Sequence, residues 1–221
     1  MENVGNKSQR IFAITISVDY ADKLRILLDK NPHHFYKWII VVDPADHITI
    51  DLIRQQNLAN IEILFYSHFQ KDSIFDKDGG LRFAQLYVKQ FICNDTQDLV
   101  LLIDSDIVLP NNFSDIVEKI DIQEDSIYTA EFRTDYKTKE DYVTCTNKVP
   151  FDVSCWGGFW GYFQMYTNKN HLYEGCGVNG DGNFRELFPT NNRKLITSLA
   201  VLHLGEGNAN WKGRVSESWD S

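Results

Sequence analysis

The stretch "LVLLIDSDIVLP", residues 99–110, runs five apolar residues straight into two aspartates, Asp104 and Asp106, one residue apart. Such a run reads as a buried strand. Residues two apart on an extended strand face the same way, so the spacing predicts both carboxylates on one side if the strand continues that far. Neighbouring carboxylates raise each other's cost of ionisation unless a cation lies between them. In an open α/β sheet, ligands gather at the carboxyl ends of the strands. A hard divalent ion carrying a diphosphate reconciles these facts, because Mg²⁺ or Mn²⁺ takes carboxylate oxygens and keeps positions free for phosphate oxygens. The plainer reading is a strand end, with Asp106 and Asn111 serving turns and caps before a helix.

Upstream, "IFAITISV" at 11–18, "WIIVV" at 38–42 and "IEILFY" at 61–66 are short apolar runs. Stretches of helical spacing alternate with them, carrying Leu24, Leu27 and Leu28, then Ile48, Leu52 and Ile53. That rhythm predicts βαβ units and a mostly parallel sheet flanked by helices. "GGLRFAQLYVKQFIC" reads as a further helix, with Leu81, Ala84, Val88 and Phe91 on one face and Arg82, Gln85 and Lys89 on another. Beyond Pro110 the pattern loosens into a short helix in "NNFSDIVEKI", a strand in "SIYTAEF" and a polar, loop-rich 133–150. No repeat or linker divides the chain, so a polar tail (1–10) and one domain (11–221) are expected, with halves at 11–110 and 111–221.

Composition narrows the partners. With 221 residues, 43% of them hydrophobic, the chain can bury a core. A net charge of −9 and the absence of a Lys/Arg stripe argue against nucleic acid. The first apolar run is too short for a signal peptide or a membrane span, which leads us to expect a soluble, cytoplasmic protein. Cys93, Cys145, Cys155 and Cys176 are too widely spaced for a zinc ribbon or redox pair and read as buried thiols.

Other residues add to the aspartate pair. Arg82, read as lying in the first turn of a helix that begins after "DKDGG", is mildly unfavourable against the helix dipole, and a phosphate beside Gly79 and Gly80 would reverse that. His203 follows the apolar run of "LAVLHLGEG", where its imidazole is a candidate third metal ligand; mixed oxygen and nitrogen ligation suits Mn²⁺ somewhat better than Mg²⁺. Trp211, Lys212 and Arg214 follow it and would bring positive charge to phosphates. In "GVNGDGNF", Asp181 stands among glycines and caps an expected helix over "FRELF". Trp156, Phe159, Trp160 and Tyr162 offer a sugar platform or core packing.

Together these segments resemble the GT-A fold glycosyltransferases. "LLIDSDIVLP" resembles their D-x-D motif, "WGGFWGYFQMY" their glycine-led donor and acceptor segment, "GVNGDGNF" their later acidic motif, and "HLGEGNANWK" their H-x-G ending. The resemblance covers most of residues 11–214 and implies a Rossmann-like GT-A sheet. It also implies a nucleotide-sugar donor, a UDP-sugar, bound through Asp104, Ser105 and Asp106, with Mn²⁺ or Mg²⁺ held by Asp104, Asp106 and His203. By the same likeness Thr15, Ser17, Asp19 and Asp43 fall where the nucleoside is held, and Arg82 and Lys212 serve the phosphates. Asp181 matches the base that deprotonates a glycan hydroxyl in inverting members. Many relatives carry a second carboxylate immediately before that aspartate; here the position is Gly180.

Two other classes fit parts of the pattern. "DSDIV" also matches the nucleophile strand of haloacid-dehalogenase-type phosphohydrolases, with Asp104 as nucleophile and Asp106 as acid/base. Such enzymes normally open with that strand, and their activating lysine has no counterpart evident from spacing. Gly180 favours the third class, a noncatalytic nucleotide-sugar-binding protein.

Overall fold

A computed structural model describes residues 9–71, 74–90, 98–152, 161–167, 170–174, 180–205 and 218–219. Strands β1 (Ile11–Ile16), β2 (Lys37–Val42) and β3 (Ile61–Phe65) alternate with helices α1 (Ala21–Lys30) and α2 (His47–Gln56). All three strands run parallel, in the order β3-β2-β1. A two-stranded ribbon, β4 (Gln70–Lys71) and β5 (Ile74–Phe75), then leads into α3 (Lys77–Val88). Helix α3 carries the chain back across the sheet, and β6 (Leu99–Ile103) joins the other side of β1, also parallel.

Burial on both faces explains why β1, β2 and β6 are continuous apolar runs rather than alternating ones, whereas the edge strand β3 is only partly buried. Ile11 and Ala13 of β1 pack with Leu24, Leu27 and Leu28 of α1 and with Ile50, Leu52 and Ile53 of α2. Phe12, Ile14 and Ile16 point the other way, into a second cluster with Leu81, Ala84 and Val88 of α3. Each fully buried leucine contributes about 1.5–3 kcal/mol relative to exposure. Ile48, expected on the packed face of α2, is 74% exposed, and Thr49 and Ile50 are buried in its place.

The second half is β7 (Ile107–Val108), α4 (Phe113–Val117), β8 (Ile127–Tyr136), α5 (Lys139–Thr144), β9 (Val149–Asp152), β10 (Phe163–Tyr166), α6 (Gly180–Glu186) and β11 (Arg193–Leu204). Its strands extend the same sheet through β6-β10-β8-β11-β7, with β9 on β8. Here the pairing is mixed: β10 is antiparallel to β6 and β8, and β11 is parallel to β8 with an irregularity between Ile196 and Ala200. The stretch 133–150, expected to be loop-rich, holds the end of β8, α5 and the start of β9. Among the described residues no helix is long and apolar enough to cross a membrane.

This order fixes where a ligand can sit. From β1 the chain steps outward to β2 and β3, then returns to the opposite side of β1 as β6. The connections leaving β1 and β6 therefore diverge, which makes their carboxyl ends the switch point at which sheets of this kind bind ligands. Asp104–Asp106 leave β6 there.

Candidate active site

Strand β6 stops at Ile103, so the pair of aspartates lies on a turn rather than on a continuing strand. Asp104 N–H donates to the Tyr162 carbonyl at 3.1 Å, and Ile107 N–H closes back on the Asp104 carbonyl at 3.3 Å. The two side chains accordingly meet different partners instead of sharing one face. Ser105 between them is buried.

Asp104 meets α3. Lys77 Nζ, from the first residue of that helix, donates to Asp104 Oδ1 at 2.8 Å and lies 3.8 Å from Asp181 Oδ1. Asp76 caps the helix by accepting from Gly79 N–H at 3.0 Å, and Tyr66 hydroxyl donates to Asp76 Oδ2 at 2.9 Å. Burial by itself would pull the Lys77 ammonium down, but Asp104 and Asp181 outweigh it and hold the pKa well above the ordinary lysine value. Asp104 is raised, chiefly by burial and also by Asp106 and Asp181, with Lys77 opposing.

Asp106 meets β11. The end of β11 pairs with β7, setting His203 opposite Ile107, and Leu204 N–H donates to the Asp106 carbonyl at 2.8 Å. His203 Nε2 then lies 3.5 Å from Asp106 Oδ2. Its Nδ1 lies 3.1 Å from Asp135 Oδ1, and since an ionised carboxylate only accepts, Nδ1 carries the proton. Arg133 Nη2 in turn donates to Asp135 Oδ2 at 3.1 Å. Burial alone would depress the imidazole, but Asp106 and Asp135 push it up to about 9. Burial likewise opposes ionisation of Asp106, yet His203 and, behind it, Lys23 carry its pKa below the ordinary value.

These groups suit a divalent ion. Ligand atoms about 2.1 Å from a common ion and roughly at right angles are about 3 Å apart, near the Asp106–His203 separation. The Asp135 carboxylate holds the proton on Nδ1, so a metal would only have to displace the proton on Nε2, as at histidines backed by a second carboxylate. Among the described residues, however, no three His, Cys, Asp or Glu side chains converge on one point. Asp106 and His203 are brought together, whereas Asp104 is engaged by Lys77.

Asp181 is reached from β10 and α6. It sits in the first turn of α6, one residue inside the helix rather than at the expected cap position. The Tyr173 hydroxyl is 2.8 Å from Asp181 Oδ1 and 2.6 Å from Gln164 Oε1, while Gln164 Nε2 donates to the Asp181 carbonyl at 3.1 Å. A side chain at Gly161, just before β10, would collide with the Asp181 carboxyl, so glycine there leaves room for that side chain. The Asp181 side chain remains 39% exposed.

The other expected residues divide. Thr15 lies within β1 and Ser17 just past its end, and both are buried. Thr15 accepts from Trp38 Nε1 at 2.9 Å, and Ser17 Oγ has no hydrogen-bond partner among the described residues. Asp19 takes a left-handed backbone (φ 61°) and its N–H donates to Asp46 Oδ2 at 2.8 Å. Asp43 accepts from Ala45 N–H at 2.8 Å. Because α3 begins at Lys77, Arg82 lies beyond its first turn; its guanidinium donates to the Tyr173 carbonyl at 3.1 Å and pairs with Glu174 at 3.6 Å. Gln85, expected on the outer face, is buried against Tyr166, to whose hydroxyl its Nε2 donates at 2.7 Å. Tyr162 is core rather than platform, with its hydroxyl donating to the Ala130 carbonyl at 3.2 Å. Cys145 is exposed, not buried. Lys212, Trp211, Arg214, Trp156, Phe159, Trp160, Cys93, Cys155 and Cys176 lie outside the described residues.

Four charged residues of the site escaped the sequence. Lys77 and Asp78 sit inside "DKDGG", which reads as a turn, and Asp135 sits in the supposed loop region. Lys23, on α1, is buried with its ammonium 5.1 Å from the Tyr20 ring and 5.9 Å from that of Trp219. The signal for Lys77 was its position directly after a capping Asp76 at the N-terminus of the helix that feeds the D-x-D strand.

Comparison with solved structures finds matches at low identity. A 4-diphosphocytidyl-2C-methyl-D-erythritol synthase matches with 12% identity and a TM-score of 0.51 over 91% of both chains. The corresponding synthase of Anaerococcus prevotii matches with 13% identity and a TM-score of 0.47 over 91% of both. The glycosyltransferase GlyE of Streptococcus pneumoniae matches with 14% identity and a TM-score of 0.47 over 85% of this chain and 45% of its own. No family model matches the chain, and no curated protein matches it in sequence. The protein therefore has the Rossmann-like α/β fold of the first of these enzymes, with a mostly parallel sheet flanked by helices.

Proposed function

We propose that this protein is a metal-dependent glycosyltransferase that moves a sugar from a nucleotide-sugar donor, a UDP-sugar, to a glycan hydroxyl with inversion. The observation that carries this reading is the β11–β7 pairing, which sets His203 against Asp106 at the carboxyl end of the strand beside β1. The fold shared with a 4-diphosphocytidyl-2C-methyl-D-erythritol synthase, an enzyme named for a nucleotide-bearing product, supports nucleotide handling at that edge. The buried, unpartnered hydroxyl of Ser17 at the end of β1 supports a polar ligand there as well.

Asp106, His203 and the Asp104 oxygen that Lys77 leaves open would hold Mn²⁺ or Mg²⁺, which when bound supplies positive charge to the diphosphate leaving group. Lys77, already 2.8 Å from Asp104, adds a fixed positive charge beside it, and Lys23 adds another behind Asp106. Asp181 accepts the proton of the acceptor hydroxyl as that oxygen bonds to the anomeric carbon and the bond to the diphosphate breaks. Tyr173 and Gln164 hold Asp181 in place for that step. Lys212 would complete the phosphate contacts.

A phosphohydrolase gains one supporting observation, since Lys77 at Asp104 stands where an activating lysine would. Incubation with UDP-sugars and Mn²⁺ separates the readings by product. Release of UDP that EDTA abolishes supports the transferase, inorganic phosphate from a simple phosphoester supports the hydrolase, and binding without release supports a noncatalytic binder.

A further inference from the structure

A side chain at Gly180 would run into the carboxyl group of Asp78. Asp78, the second residue of α3, thus lays its carboxyl against the backbone of the residue that immediately precedes Asp181. Asp78 is only 6% exposed, yet no group among the described residues donates a hydrogen bond to it. Partial burial makes its charge costly, while the carboxyl oxygens still reach the surface, where a ligand can bind them. The dipole of α3 and the neighbouring Lys77 offset part of that cost. Neither fills the carboxylate's hydrogen-bonding capacity.

We propose that Asp78 is a second acceptor-binding carboxylate, which takes a hydrogen bond from a hydroxyl adjacent to the one Asp181 deprotonates. Asp78 and Asp181 are then a pair assembled from two helices, with Gly180 required because Asp78 occupies the space a side chain there would fill. The acceptor is thereby defined chemically as a vicinal diol, a sugar with two neighbouring free hydroxyls, one for each carboxylate. This rests on the transferase reading above. The electrostatics agree: burial first, then repulsion from Asp181 and Asp76, push Asp78 up to about 6 against the pull of Lys77. Above about 6 it is therefore a charged carboxylate that only accepts hydrogen bonds, and below about 6 the neutral acid is a weaker acceptor.

The test uses UDP release from a panel of UDP-hexoses with Mn²⁺, comparing methyl glycosides that keep adjacent hydroxyls with the corresponding deoxy glycosides. Wild type should prefer the diol acceptors in kcat/KM by about 10- to 100-fold, the range for one hydrogen bond to a charged group. Asp78→Asn should abolish that preference and the loss of acceptor kcat/KM near pH 6, while still binding UDP with Mn²⁺; Asp78→Glu should restore part of it. Gly180→Ala, which keeps Asp78 but displaces its carboxyl, should lose the same preference and decides the matter if Asp78→Asn does not fold. An unchanged diol preference in either folded variant overturns the proposal while leaving the transferase intact. Wild type that releases no UDP from any donor overturns the transferase reading and this proposal with it.

Discussion

The halves of the sheet are built on different principles. In β1, β2 and β6, both faces are buried against helices, and the strands say so in sequence as unbroken apolar runs. From β8 to β11 the strands mix directions and carry charge inside the sheet, as Arg133, Asp135 and His203 do. The first half fixes position by packing, and the second turns charged side chains back onto the end of β6. A scaffold and a chemistry half should therefore fail differently when altered.

The sharpest separation comes from Asp181→Asn. Removing a positioned base typically costs 10²- to 10⁴-fold, so UDP-sugar turnover should fall by that much while UDP affinity and the urea midpoint stay near wild type. Retained turnover would remove Asp181 from the role. Next in size, Leu27→Ala in the α1 core should cost about 2–5 kcal/mol in urea denaturation, with kcat per folded molecule unchanged. A loss below 1 kcal/mol would mean that the first half is not the rigid one.

Asp135→Asn probes the second half at smaller amplitude. Loss of a carboxylate behind a metal-bound histidine costs about 10- to 100-fold in metal affinity, so Mn²⁺ binding followed by titration calorimetry should weaken by that factor. Unchanged affinity would show that Asp135 does not orient His203. The metal-free protein gives the gentlest test. His203 is raised to about 9 from 6.5, so the stability it contributes is complete below about 6.5 and disappears as pH rises through 9. Thermal midpoints of metal-free wild type should fall across that window relative to His203→Gln, and parallel curves would contradict the ion-paired imidazole.

What the sequence revealed follows the same division. β1, β2 and β6 were legible because burial on both faces leaves unbroken apolar runs, and the partly buried edge strand β3 was legible from its place after α2 in the same alternation. The start of α3 was not, because two glycines after "DKD" look like a turn until Asp76 is seen capping Gly79. Gln85 read as surface because its burial depends on a hydroxyl 81 positions away, on Tyr166. The bend at Asp104 was hidden for a similar reason: strand alternation predicts a shared face, but the turn closed by Ile107 sends the two carboxylates to different partners. Asp135 lies 68 residues from His203, and only the β8–β11 ladder brings them opposite each other. Long-range register of that kind has no local signature.

Everything proposed for the chemistry depends on nucleotide and metal binding as one unit at Asp106 and His203. The most direct measurement is the affinity of UDP for the full chain by titration calorimetry, with Mn²⁺ and with EDTA, in wild type and His203→Ala. The account predicts that Mn²⁺ tightens UDP binding to wild type and that the substitution erases this gain. Equal UDP affinity with and without the ion in wild type, or a gain that survives the loss of the imidazole, would contradict it.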